Sequence, residues 1–186
     1  LENQNKSYEN LLEKMESISM KRIEETSGLK NFELHSVDDE YKKSPVKSQY
    51  VTYIMLYSED LKIEFRIYYF TNEIQQLVSN TFRRKPEEIT HALVHDSMKE
   101  FTNLVGATVK AHLQNSIQNI GLSLPLSTRG FDEVWESEKK SNEHYWAIKW
   151  SGGKIVLKAV LVFENINFFD SIFFENKEDD GEMEMM

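Results

Sequence analysis

Asp96, Lys99, Glu100, Asn103 and Ala107 stand at spacings that a helix would bring together. At about 100° per residue, Asp96, Glu100 and Asn103 share an arc of roughly 60°, whereas Val94, Met98, Phe101 and Val105 cluster about 170° away. The carboxylates and the amide therefore point opposite the apolar stripe. A carboxylate so placed can pair with a cation. An amide cannot be a general base, but its oxygen and NH₂ can orient a water. Ala107, one turn on, is small enough to let a partner's surface approach the helix. The same spacing also fits an ordinary solvated helix face, so it decides nothing alone.

Other reactive side chains are less well supported. His91 and His95, four apart, could chelate a metal, but there is no HExxH pattern and no evident third ligand. Ser97 lacks a glycine elbow. Arg83-Arg84-Lys85 reads as cations at a helix C-terminus, where they oppose the helix dipole.

The elements that must position these residues follow from periodicity. Ser7 to about Thr26 is helical, with Leu11, Leu12, Met15, Ile18, Ser19 and Ile23 on one stripe and Gly28 as terminator. Asn31 to Gln49 reads as an irregular connection or weak strand. Tyr50–Tyr57 and Leu61–Tyr69 make a hairpin about Ser58-Glu59-Asp60 with one buried face. Thr71 and Asn72 are placed to cap a helix carrying Ile74, Leu77, Val78 and Phe82. Pro86, followed by Glu87 and Glu88, is expected to open a second helix running to about Asn119, stopped by Gly121. Leu122 to Thr128 reads as a strand carrying Pro125, Phe131 to Asn142 as a charged connection, and Tyr145–Trp150 and Lys154–Phe163 as strands joined by Ser151-Gly152-Gly153. Residues 1–49 are expected to belong to the same domain as a core at 50–164. An aromatic segment follows from Asn165 to Phe174, which reads as a packing segment, and then an acidic tail with the composition of disorder.

Composition narrows the classes. The 186 residues are 40% apolar and 28% charged, which is a folded-domain profile. With no Cys there is no disulfide framework or thiolate chemistry, as suits a reducing cytoplasm. Only 7 Gly occur, none in a phosphate-cradling motif. The net charge of −9 argues against nucleic acid or an anionic membrane as partner. The stretch Ile155 to Phe163 is interrupted by Lys158 and far too short for a membrane span. The chain begins at Leu1 with a polar run that is no signal peptide, so upstream residues are expected.

Asp96-Ser97-Met98-Lys99-Glu100-Phe101-Thr102-Asn103 matches the D/S-x-x-x-E-x-x-N signature, and the chain resembles the CheC/CheX/FliY phosphatases of bacterial chemotaxis, CheX in particular. The preceding helix, the long helix and the strand from Leu124 to Gly130, with Pro125 five before Gly130, resemble the family's run in order and spacing, over about Tyr50 to Phe163. The chain departs from the pattern in having Gly106 three, and Ala107 four, after Asn103, where the family usually has a small residue four after. The interval to Pro125 is also one residue shorter than the commonest spacing. A single signature copy resembles CheX rather than the two-copy CheC type.

The resemblance implies an α+β fold, a mainly antiparallel sheet with two long helices on one face. It implies hydrolysis of the aspartyl-phosphate of a phosphorylated response regulator such as CheY. Glu100 and Asn103 would be the catalytic pair, Asn103 orienting the attacking water and Glu100 pairing with the regulator's Lys. Asp96, Lys99 and Ala107 would touch the partner. The chain itself would bind no cofactor, with Mg²⁺ on the regulator. The alternative is a regulator-binding adaptor without turnover, and the presence of both Glu100 and Asn103 favours the enzyme. A homodimer joined sheet edge to sheet edge is expected, with Lys154–Phe163 as the strand whose edge needs covering and the aromatic segment as a competing cover.

Overall fold

The strict alternation of Leu61, Ile63, Phe65, Ile67 and Tyr69 with polar neighbours makes a strand, and the β-branched and aromatic run before it supplies its partner. The structure, a computed structural model, describes residues 2–41, 44, 46–129 and 142–164. In chain order the elements are α1 (Glu2–Ser27), β1 (Glu33–Ser36), α2 (Asp38–Tyr41), β2 (Tyr50–Tyr57), β3 (Leu61–Tyr69), α3 (Thr71–Phe82), a 3₁₀ turn (Pro86–Glu88), α4 (His91–Leu113), β4 (Gly121–Leu122), β5 (Leu126–Arg129), β6 (Asn142–Trp150) and β7 (Gly153–Phe163). All strand pairs are antiparallel. The sheet order is β1-β6-β7-β3-β2, with β4 and β5 both on the outer edge of β2. Helices α1, α3 and α4 pack together against one face. Ile54, Ile63, Phe65, Trp146 and Leu157 from the sheet meet Leu11, Met15, Val78 and Val105 from the helices in one core. This is the expected α+β architecture, with α1 and α4 as its two long helices.

Several elements differ from their sequence reading. The helix expected over Pro86–Asn119 is broken near its start: Pro86–Glu88 is a 3₁₀ turn, Ile89 is extended and buried, and α4 begins only after Thr90. The Thr90 hydroxyl accepts the Leu93 N–H at 3.2 Å, a cap stronger than the proline start. The helix ends at Leu113, and Asn119 at φ 58° turns the chain toward β4. Thr71 and Asn72 do not cap α3. Its N-cap is Phe70, and the Thr71 N–H and hydroxyl both donate to Gln49 Oε1, at 3.1 and 2.8 Å. The strand expected over Leu122–Thr128 is two short strands, because Pro125 has no N–H to continue the ladder. The stretch before β2 holds β1 and α2.

Two corrections bear on the sheet. Arg66 and Tyr68, on the β3 face read as solvated, are both buried, Tyr68 in a cluster with Val46, Val51, Tyr145 and Val156 over which Val37 and Tyr41 pack. Arg66 is held there by Glu64 at 2.9 Å. β7, read as a strand with an open edge, lies between β3 and β6 with both edges paired. The connection 131–141 and the segments after residue 164 lie outside the described residues.

Gly28, at φ 64°, ends α1 in the left-handed conformation, its N–H donating to Glu24 O at 2.9 Å. Gly106 has a different task. A Cβ there would stand 3.2 Å from Ile54 Cγ2 and Leu122 Cδ1, so the missing side chain is what lets α4 lie down on β2 and β4. Gly106→Val should destabilise the fold by about 1–3 kcal/mol through overpacking. Thermal denaturation checks this, and an unchanged melting temperature would mean that α4 stands further from the sheet.

Candidate functional site

Five residues of α4, Val94, Met98, Phe101, Val105 and Val109, are at most 5% exposed, so the helix has one rotation on the sheet. Asp96, Glu100 and Ala107 are then exposed and Asn103 half-buried, all on the outer ridge that the spacing of the sequence predicts. The ridge is braced from both flanks. On one side α1 lies alongside: Arg22 Nε and Nη2 both donate to Thr108 Oγ1, at 3.1 and 2.9 Å. On the other side Gly106 rests on the sheet, and His95 reaches Tyr69 Oη with its Nδ1 at 2.9 Å while its edge meets the Tyr50 ring at 4.1 Å.

The ridge groups are not equally available. Lys99 Nζ pairs with Asp96 Oδ1 at 3.0 Å, an exposed i,i+3 pair worth a few tenths of a kcal/mol and so readily given up to a partner. Among the described residues neither the Glu100 nor the Asn103 side chain has a hydrogen bond or ion pair. A carboxylate and an amide, less than one turn apart, thus face outward with their bonding capacity unused. Together they can grip a cation and orient a water.

The remaining sequence candidates are accounted for. The Ser97 hydroxyl donates to Leu93 O at 2.8 Å, a bond within its own helix. His95 Nδ1 is engaged by the Tyr69 hydroxyl at 2.9 Å. No group of three or more His, Asp or Glu is placed to hold a metal among the described residues. The His95 pKa is lowered, first by burial and then by His91 and Lys99 nearby, so the ring is neutral near pH 7 and can accept the Tyr69 hydroxyl proton. Burial raises the Tyr69 pKa, which keeps that proton in place. Spacing missed both braces. Arg22 and Thr108 are 86 residues apart and His95 and Tyr69 are 26 apart, and nothing in either segment announces the pairing.

No family model matches the chain, and no curated protein sequence is similar to it. Solved structures are similar in fold. The chemotaxis protein CheX from Vibrio vulnificus aligns with a TM-score of 0.66 at 13% identity, over 82% of this chain and 99% of that one. CheX in a CheX–CheY–BeF3–Mg²⁺ complex from Borrelia burgdorferi gives 0.66 at 13% identity, over 81% and 96%. The middle domain of FliM from H. pylori gives 0.61 at 8% identity, over 93% and 99%. The fold is therefore CheX/CheC-like. No helix among the described residues is long and apolar enough to cross a membrane.

Because Glu100 is exposed and unpartnered, Glu100→Ala should change stability by no more than about 0.5 kcal/mol. A large drop in melting temperature would show that this face of α4 is not free.

Proposed function

We propose that this chain is a CheX-like phosphatase that hydrolyses the aspartyl-phosphate of a CheY-like response regulator. The observation that carries the reading is the pair Glu100 and Asn103, unengaged on the ridge of α4, in a fold similar to CheX, including a CheX bound to CheY. The water oxygen attacks phosphorus in line with the scissile bond. The P–O bond to the regulator's aspartate breaks, its electron pair returns to the carboxylate, and inorganic phosphate leaves. The regulator's own Mg²⁺ and Lys take up charge on the phosphoryl group, so what this chain adds is position. Asn103 holds the attacking water, Glu100 binds the regulator's Lys and docks the helix, and Lys99 and Asp96 exchange their mutual pair for contacts with the partner. Ala107 leaves room for the regulator's surface. The reaction belongs in the cytoplasm, where such regulators work.

Decay of a phosphorylated regulator, with and without the protein, tests the reading. Asn103→Ala should slow stimulated decay by about 100-fold, the scale of a misplaced reactant, while binding persists. Glu100→Ala should weaken binding and turnover together. Binding with no acceleration by the wild type would instead make the chain an adaptor.

A homodimer is part of the same proposal. β7 is interior, so pairing falls to the outer strands, and Leu124 and Leu126 on the β4–β5 side, 83% and 54% exposed, favour that edge. Light scattering should return twice 21.9 kDa, reduced to the monomer mass by Leu126→Lys. A wild-type mass of 21.9 kDa would overturn the dimer.

A further inference from the structure

His144 stands in β6 on the helix-covered face, its ring stacked on Trp146 at 5.5 Å. Both of its nitrogens meet carboxylates, and each carboxylate comes from a different helix. Nε2 is 2.6 Å from Glu16 Oε1 on α1, and Nδ1 is 3.2 Å from Asp38 Oδ2 on α2. The side chains are 14% exposed for His144, 19% for Glu16 and 24% for Asp38. Asp38 is fixed in turn, its other oxygen accepting the Tyr145 N–H. A neutral imidazole has one N–H and would turn a lone pair toward one of the two anions. Only the imidazolium donates to both. The arrangement is complete in the protonated state alone.

We propose that His144 is a proton-operated clasp: protonated, it locks α1 and α2 onto β6, and on losing its proton it releases one carboxylate and loosens both helices from the sheet. α2 has four residues and none of them buried, so apart from the packing of Tyr41 on the Tyr145 ring its hold on β6 runs through Asp38. On α1 the clasp is at Glu16, six residues before Arg22, which bonds Thr108 of α4. Loosening of α1 therefore reaches the helix that carries the ridge, although the clasp depends on no reading of what the ridge does.

The groups around the ring set the direction of the effect. α1 presents Glu16, with Tyr8 beside Asp38. α2 presents Asp38, β6 presents Trp146, and β7 presents Ala159 opposite in the ladder. Glu143 and Lys158 pair with each other at 2.9 Å on the other face of the sheet. Tyr8 is pushed up to about 12, by burial and then by Asp38, and stays neutral throughout. Burial works against the charge on His144, but the bonds to Glu16 and Asp38 outweigh it and raise the pKa above the ordinary 6.5. A folded-state pKa above the unfolded one means that the clasp's stabilisation is fully present below about pH 6.5 and is lost as pH rises through the folded value.

The test uses the whole chain. The His144 ring is titrated by NMR between about pH 5 and pH 9, and exchange of α1 amides is followed over the same range, corrected for intrinsic rates. The midpoint should lie above 6.5 in the wild type and fall in Glu16→Gln and in Asp38→Asn. Exchange in α1 should rise through the wild-type midpoint and be high and independent of pH in His144→Gln. A wild-type midpoint at or below 6.5, a midpoint that neither carboxamide variant moves, or unchanged α1 protection through the titration would overturn the proposal. Should His144→Gln fail to fold, the wild-type and Glu16→Gln titrations decide.

Discussion

Helix α4 can rest on the sheet in one rotation, and the rest of the candidate site depends on that. Its stripe from Val94 to Val109 is buried against β2 and β3, each side chain contributing about 1.5–3 kcal/mol, and Gly106 lets the backbone close on Ile54 and Leu122. A helix held so tightly has a fixed outer line. Asp96, Glu100, Asn103 and Ala107 occupy that line because 3.6 residues per turn leave them nowhere else. The two flanking contacts, Arg22 on Thr108 and His95 on Tyr69, stop the helix from rolling between α1 and the sheet.

Against this background the distribution of polar contacts is uneven in an informative way. Glu73 Oε2 is buried with no hydrogen-bond partner among the described residues, but several charged groups inside the fold are matched: Arg66 with Glu64, Lys158 with Glu143 beside the Tyr145 ring, and His144 between Glu16 and Asp38. Each would be costly to leave unpaired once buried. On the ridge the opposite holds, since Glu100 and Asn103 are exposed or half-buried and have no partner among the described residues. An unengaged pair at the surface costs the fold little and leaves its bonding capacity for another molecule.

The fold by itself does not choose that molecule. The same architecture is found in CheX and in the middle domain of FliM, which bear different names, at 8–13% identity to this chain. The functional reading therefore rests on the side chains of α4. It asks little of them, because a response regulator brings its own metal and cation to phosphoryl transfer and needs from a phosphatase mainly an oriented water and a firm docking surface.

The sequence by itself determined which residues of α4 face outward and which strands form the central hairpins, because both follow from local periods of 3.6 and 2 that the apolar residues mark plainly. It also placed Gly28 as a helix end, since a left-handed φ favours glycine. It misplaced the start of α4, where the Thr90 cap competes with a proline signal only a few residues away. Only the tertiary structure decided that β7 lies inside the sheet, that Arg66 and Tyr68 are covered, and that α1 braces the ridge through Arg22. The same is true of the two carboxylates, Glu16 and Asp38, that meet at His144. These are contacts between segments up to 128 residues apart, chosen by how the elements stack rather than by any pattern within them, and a periodicity read along the chain carries no record of its neighbours in space.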